Sequence, residues 1–224
     1  MTLTIHPDIA QGTPEWHALR CGLLTASTIG RLLTPTLKIA NNDTSRGLTL
    51  ALAAERITGH VDDTPMTASM WRGIEDEPLA RDMYAEHHAP VTEIGFMVRN
   101  FAGFSIGYSP DGLVGDDGLI EIKSRSQRAQ ITTVLDDHVP AANMAQLQAG
   151  LLVSGRQWID YISYSSGMAM WVRRVTPDRA WRAALMQAAA ELEQNATEIV
   201  TRYQAATTGL PIADRTPDWT EMTI

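Results

Sequence analysis

The stretch Ser109-Pro110-Asp111-Gly112-Leu113, followed ten residues after its aspartate by Glu121-Ile122-Lys123, decides how this chain is read. With Leu119 and Ile120 beside it, the second triplet reads as a strand over residues 119–123. Alternation along a strand sends Glu121 and Lys123 to one face and Ile122 to the other. A turn at Asp116-Asp117-Gly118 folds the chain back, so that Asp111 lies across from the strand. Two carboxylates and one ammonium then converge. An isolated E-x-K triplet also fits a cross-strand salt bridge on a solvated sheet face. The apolar neighbours argue instead for a buried strand, where charges are costly unless something requires them.

That trio suits metal-assisted phosphodiester hydrolysis. Mg²⁺, or Mn²⁺ in its place, is a hard ion that keeps several waters, so one or two carboxylates plus substrate phosphate oxygens suffice to hold it. The ion polarises the phosphoryl oxygen and makes a bound water more acidic. Lys123 is placed to orient or deprotonate that water and to offset charge developing in the transition state. Arginine in its place is expected to fail, because the guanidinium fork is bulkier and never releases its proton.

Outward from this centre, extended segments are expected at residues 91–98, 104–108, 119–123, 158–164 and 168–175, separated by turn signals such as Asp111-Gly112 and Ser165-Ser166-Gly167. Apolar spacing predicts helices over residues 48–57, ending at Thr58-Gly59, over 67–87, over 141–153 and over 177–203. A further helical segment over 15–33 breaks near Cys21-Gly22, and the polar stretch 34–47 is expected to be a mobile loop. The sum is an α/β fold with helices packed around a central mixed sheet. With no repeat, linker or charge run, the 224 residues are read as one domain, 1–224.

Composition narrows the function. An apolar share of 44% with 20% charged residues excludes wholesale disorder. No apolar run approaches the roughly eighteen residues of a membrane span, and the N-terminus lacks the order of a signal peptide, so an intracellular location and no membrane partner are expected. The single Cys21 can build neither an internal disulfide nor a cysteine-held cluster. A net charge of −8 argues against coating nucleic acid through a basic surface, but leaves a local groove open. The cations are almost all arginine, the better fork for phosphate; Lys38 and Lys123 are the only lysines.

The composite P-D-x₉-E-x-K has the pattern of the PD-(D/E)-x-K nuclease superfamily. The segment from Trp16 through Arg20, Gly22, Thr25 and Ala26 to Ser27 resembles the W-H-x-x-R-x-G-x-x-T-A-S motif of the phage lambda exonuclease and YqaJ-type viral recombinase family. Gly73 to Glu77, with Ala80-Arg81, is similar to that family's G-x-x-x-E helix motif, and Met144-Ala145-Gln146-Leu147-Gln148 to its M-A-Q-x-Q helix. The four motifs occur in order from Trp16 to Gln148, over half of the chain.

The resemblance implies a restriction-endonuclease-like core. It implies that Asp111, Glu121 and the Ile122 carbonyl bind metal, that Glu77 supplies a helix-borne carboxylate and Lys123 the catalytic ammonium. Gln148 would sit beside the reacting phosphate, with Gln146 as second choice. Arg20 and Ser27, with Ser109, would hold a 5′-phosphate, a role in keeping with the strength of an arginine–hydroxyl clamp. Met70 aligns with an apolar wedge between the strands. Plainer roles stand beside these: Arg20 paired with Glu15, Ser27 as a turn cap, Met70 as core packing, and Glu75 or Asp76 in place of Glu77. The loop 34–47 departs from the family's more basic version, with Lys38 and Arg46 as its cations.

The activity so implied is a Mg²⁺-dependent 5′-to-3′ exonuclease that degrades one strand of linear double-stranded DNA and leaves a 3′ overhang for recombination. A homotrimeric ring, a single-strand annealing protein as partner, and a phage or prophage origin in a bacterial cytoplasm come with it. The rivals are an endonuclease or 3′-end nuclease of the same superfamily, and a noncatalytic DNA-end-binding protein of the same fold.

Overall fold

A computed structural model describes residues 1–62 and 65–214. Its centre is a strand β5 (Gly118–Ser124), whose first five residues are all buried. On one side β5 pairs antiparallel with the short β4 (Gly112–Val114), and on the other parallel with β6 (Trp158–Tyr164), which pairs antiparallel with β7 (Trp171–Val175). This four-stranded sheet is therefore mixed, as expected. The parallel step needs a long crossover. It is made by α4 (Gln127–Asp136) and α5 (Ala141–Ser154). A second sheet, wholly antiparallel, is built from β1 (Thr2–His6), β2 (Phe96–Asn100) and β3 (Ser105–Tyr108).

Around the sheets lie α1 (Pro14–Arg20), a 3-10 turn (Ile29–Leu32), α2 (Asp43–Thr58), α3 (Ala68–His87) and the long α6 (Arg179–Ala206). The two faces of β5 feed two cores. Leu119 packs with Leu147, Leu151, Ile159 and Leu185, whereas Ile120 and Ile122 pack with Ala80, Tyr84 and Ile162. Each such aliphatic side chain contributes about 1.5–3 kcal/mol on burial. The face that begins apolar at Leu119 turns polar at Glu121 and Lys123. None of the described helices is long and apolar enough to cross a membrane.

Several boundaries differ from the sequence reading for identifiable reasons. Helix α2 starts at Asp43 rather than at residue 48, because Asn42 forms a capping box: its Oδ1 accepts from the Ser45 N–H at 2.9 Å, and its own N–H donates to Ser45 Oγ at 3.1 Å. Gly59 ends the helix in the left-handed region at φ 68°, as the Thr58-Gly59 signal implied. The loop expected over 34–47 is thus shorter, and it is closed by Thr34 N–H to Lys38 O and Ala40 N–H to Leu32 O, both 2.8 Å. Helix α4 was not expected at all: Ser126 caps it, but it buries Gln130 and Thr133 and exposes Ile131, Val134 and Leu135, the reverse of an amphipathic signature.

Candidate active site

The polar end of β5 opens into a cleft of about 950 Å³ whose other walls include residues of α1 and α3. Glu121 is only 1% exposed. Its Oε1 accepts from Lys123 Nζ at 2.6 Å and from Gln146 Nε2 at 2.5 Å, while its Oε2 accepts from the Tyr108 hydroxyl at 3.2 Å. Asp111 immediately precedes β4. The last β4–β5 rung pairs Gly112 with Ile120, and Asp111 Oδ2 then takes the place of the next rung by accepting from the Ile122 N–H at 2.6 Å. A strand residue directs its N–H and C=O to the same edge, so the Ile122 carbonyl faces the Asp111 side, beyond the end of β4.

Three acids crowd this corner. Burial, then the Glu121 and Glu77 carboxylates, push the Asp111 carboxyl well above its ordinary value. Burial likewise raises Glu77, against the opposing pull of Arg81. Burial pulls the Lys123 ammonium down, but Glu121 and Asp111 outweigh it, and the net shift is upward. Lys123 therefore stays charged. A site with more acid than base, two carboxylates and a carbonyl on one edge, fits a hard divalent cation that retains water. Among the described residues no three His, Cys, Asp or Glu side chains gather closely enough to cage a metal.

The remaining expected residues distribute as follows. Glu77, not Glu75 or Asp76, lines the cleft from α3; it is paired with Arg81, which also donates to the Asp111 carbonyl at 2.8 Å and pairs with Glu93 at 2.8 Å. Asp76 is buried and accepts from Ser124 Oγ at 2.6 Å. Arg20, Ser27 and Ser109 all line the same cleft. Trp16 ties two of them together: its ring lies 4.0 Å under the Arg20 guanidinium, and its Nε1–H donates to Ser109 Oγ at 2.8 Å. Arg20 makes no ion pair with Glu15 or any other acid among the described residues. Lost solvation holds its pKa below the usual arginine value, although Glu55 opposes this. Ser27 Oγ bonds the Thr25 hydroxyl at 3.1 Å rather than capping the turn, and residues 24–26 hydrogen-bond along Gly107 of β3, which carries Ser27 toward Ser109. Met70 is not core: it stands 41% exposed at the cleft, beside Ile74 and Met66.

Gln148 requires correction. Its side chain is buried away from the cleft, donating to the Thr176 carbonyl at 2.9 Å and accepting from the Asp178 N–H at 2.9 Å, where it pins the entry to α6. The residue at Glu121 is Gln146. Two positions on one helix separated by two residues are rotated by about 200°, so only one of the pair can face the sheet's polar edge. Tyr108 escaped the sequence reading altogether. Its signal was an aromatic hydroxyl directly before Ser109-Pro110-Asp111.

A family model described as a YqaJ-like viral recombinase domain matches residues 15–157. The fold is similar to a crystal structure of an alkaline exonuclease from Laribacter hongkongensis, with 30% identity, a TM-score of 0.78, and coverage of 89% of this chain and 100% of that one. A complex of that exonuclease with dAMP matches at a TM-score of 0.77 over the same coverage and at the same identity. A phage-related exonuclease from Haemophilus somnus 129PT shares the fold at 11% identity and a TM-score of 0.57, covering 81% of this chain and 96% of that one. No curated protein matches the chain.

Proposed function

The chain belongs to the YqaJ-like viral recombinase family, and from that premise we propose that it is a metal-dependent exonuclease that shortens one strand of linear double-stranded DNA from its 5′ end, leaving a 3′ overhang for single-strand annealing. One observation carries this reading: the carboxylate–lysine corner and the Arg20–Ser27–Ser109 face open into the same cleft. An arginine fork with two hydroxyls beside the acids suits a terminal phosphate anchored next to the linkage being cut. The relative crystallised with dAMP lends support, since a deoxynucleoside monophosphate is what such a reaction releases.

Asp111, Glu121 and the Ile122 carbonyl would hold Mg²⁺ or Mn²⁺, which when bound supplies charge stabilisation for the phosphoryl group and a more acidic water. The protein's own groups do the rest. Lys123, kept protonated, neutralises charge building on the scissile phosphate and presents a proton at Nζ. Arg81 holds both the Asp111 backbone and Glu77, so the acids keep their spacing. Arg20, already flat on Trp16, meets the 5′-phosphate with little side-chain entropy left to lose. Met70 at the lip is the apolar side chain placed to part the strands. A homotrimer, partnership with a single-strand annealing protein and action in a bacterial host's cytoplasm complete the proposal; a ring would concentrate the few positive charges of an acidic protein inward.

The test is digestion of duplexes labelled at either end, with and without a 5′-phosphate. Loss of the 5′ label first, faster with the phosphate present, and closed circular DNA left intact are expected. Equal loss of both labels, cutting of circles, or full activity in Lys123→Ala would overturn the reading.

A further inference from the structure

Glu121 has more hydrogen-bond donors than a metal-binding carboxylate can easily share, and their distribution is informative. An ionised carboxylate offers about four lone-pair positions, two on each oxygen. Oε1 takes two donors, Lys123 and Gln146, and is full; Oε2 takes one, the Tyr108 hydroxyl. A single position on Oε2 is left for a cation. We propose that Tyr108 is a positioning residue that fixes the Glu121 carboxylate so that it meets the metal through Oε2 alone. This rests on the metal-dependent reading above.

The surroundings hold the hydroxyl to that task. Tyr108 is 2% exposed, at the end of β3 and directly before the Ser109-Pro110-Asp111 turn, so one short segment carries both the acid and the group that orients its partner acid. Its ring lies against α5 where Gly150 leaves room: a Cβ at residue 150 would come within 2.8 Å of the ring's Cζ and 3.0 Å of the hydroxyl oxygen. No other hydrogen bond engages that hydroxyl among the described residues. Outer-shell partners of this kind orient ligands and raise their affinity for the ion.

Two variants test it. Tyr108→Phe removes the hydroxyl and keeps the ring; Gly150→Ala keeps the hydroxyl and displaces the ring. Mn²⁺ is titrated calorimetrically into the DNA-free protein, and Mg²⁺ dependence is read from nuclease rates, with thermal melts confirming that each variant is folded. Both variants are expected to bind Mn²⁺ about tenfold more weakly and to need correspondingly more Mg²⁺ for half-maximal rate, while regaining wild-type turnover at saturating metal. Should Tyr108→Phe fail to fold, Gly150→Ala carries the same readout. Unchanged Mn²⁺ affinity in a folded variant, or a loss of turnover that saturating metal does not restore, would overturn the proposal. Absence of Mn²⁺ binding by the wild type would instead fell the metal-dependent reading itself, and this inference with it.

Discussion

Two buried carboxylates sit on adjacent strands at nearly the same level of one sheet, and they live in opposite circumstances. Asp160 of β6 is closed: Arg174 grips both its oxygens at 2.8 Å, Tyr84 donates at 2.7 Å, and the guanidinium is covered by Trp158 at 3.5 Å. Glu121 of β5 shares its corner with Asp111 and Glu77, and among the described residues Lys123 is the one cation that pairs with it. The first is a charge whose solvation the protein has replaced in full. The second is a charge whose compensation is incomplete, in a cleft open to an outside cation. A buried acid by itself is thus no sign of catalysis; the shortfall of positive charge around it is.

Removing Lys123 attacks the open site where it is weakest. Lys123→Ala, and Lys123→Arg with it, should lower exonuclease turnover by roughly 10²–10³-fold, read by gel assay, and Lys123→Ala should also lower the melting temperature, because it leaves the buried Glu121 without its ion-pair partner. Gln146→Ala should reduce activity by about 10–100-fold, whereas Gln148→Ala should instead loosen the start of α6 and show in the thermal melt; similar activity losses in both would erase the distinction between the two glutamines.

The closed site should answer in stability alone. Arg174→Ala leaves Asp160 buried with one hydroxyl donor; because the arginine is 54% exposed and partly screened, the cost is about 1–3 kcal/mol by chemical denaturation, with nuclease rates unchanged.

The smallest effect is a matter of pH. The Asp111 carboxyl is raised in the folded protein, so its protonated form contributes stability that is fully present below the unfolded value of 3.8 and is lost as pH rises through the elevated folded value. Asp111→Asn keeps an acceptor for the Ile122 N–H and removes the charge. In chelator, this variant should therefore melt higher than the wild type in alkaline buffer, with the difference vanishing toward acid; a constant difference across pH would break the account.

Much of this was legible in the residues. The alternation in Glu121-Ile122-Lys123 placed two charged groups on one face, and the Asp116-Asp117-Gly118 turn returned Asp111 to them, because both rest on local geometry that tertiary contacts had no reason to alter. β6 was read with its observed bounds, since a run of buried, β-branched and aromatic residues has little freedom to be anything else. What stayed hidden depended on contacts distant in sequence. Helix α4 turns its apolar side outward because Gln130 is satisfied by the Ser163 and Ala169 carbonyls, far along the chain. The choice between Gln146 and Gln148 depended on which side of α5 meets the sheet, and the motif alone does not encode that rotation.

The bond from Trp16 to Ser109 has one more implication. Ser109 and Asp111 are two residues apart on a single rigid backbone, a separation of about 7 Å at full extension. If Ser109 meets a terminal phosphate and Asp111 the metal, as proposed above, this short span sets the distance between the two. On that proposal, lengthening the 109–111 segment should change the size of the fragment released, which product analysis would read.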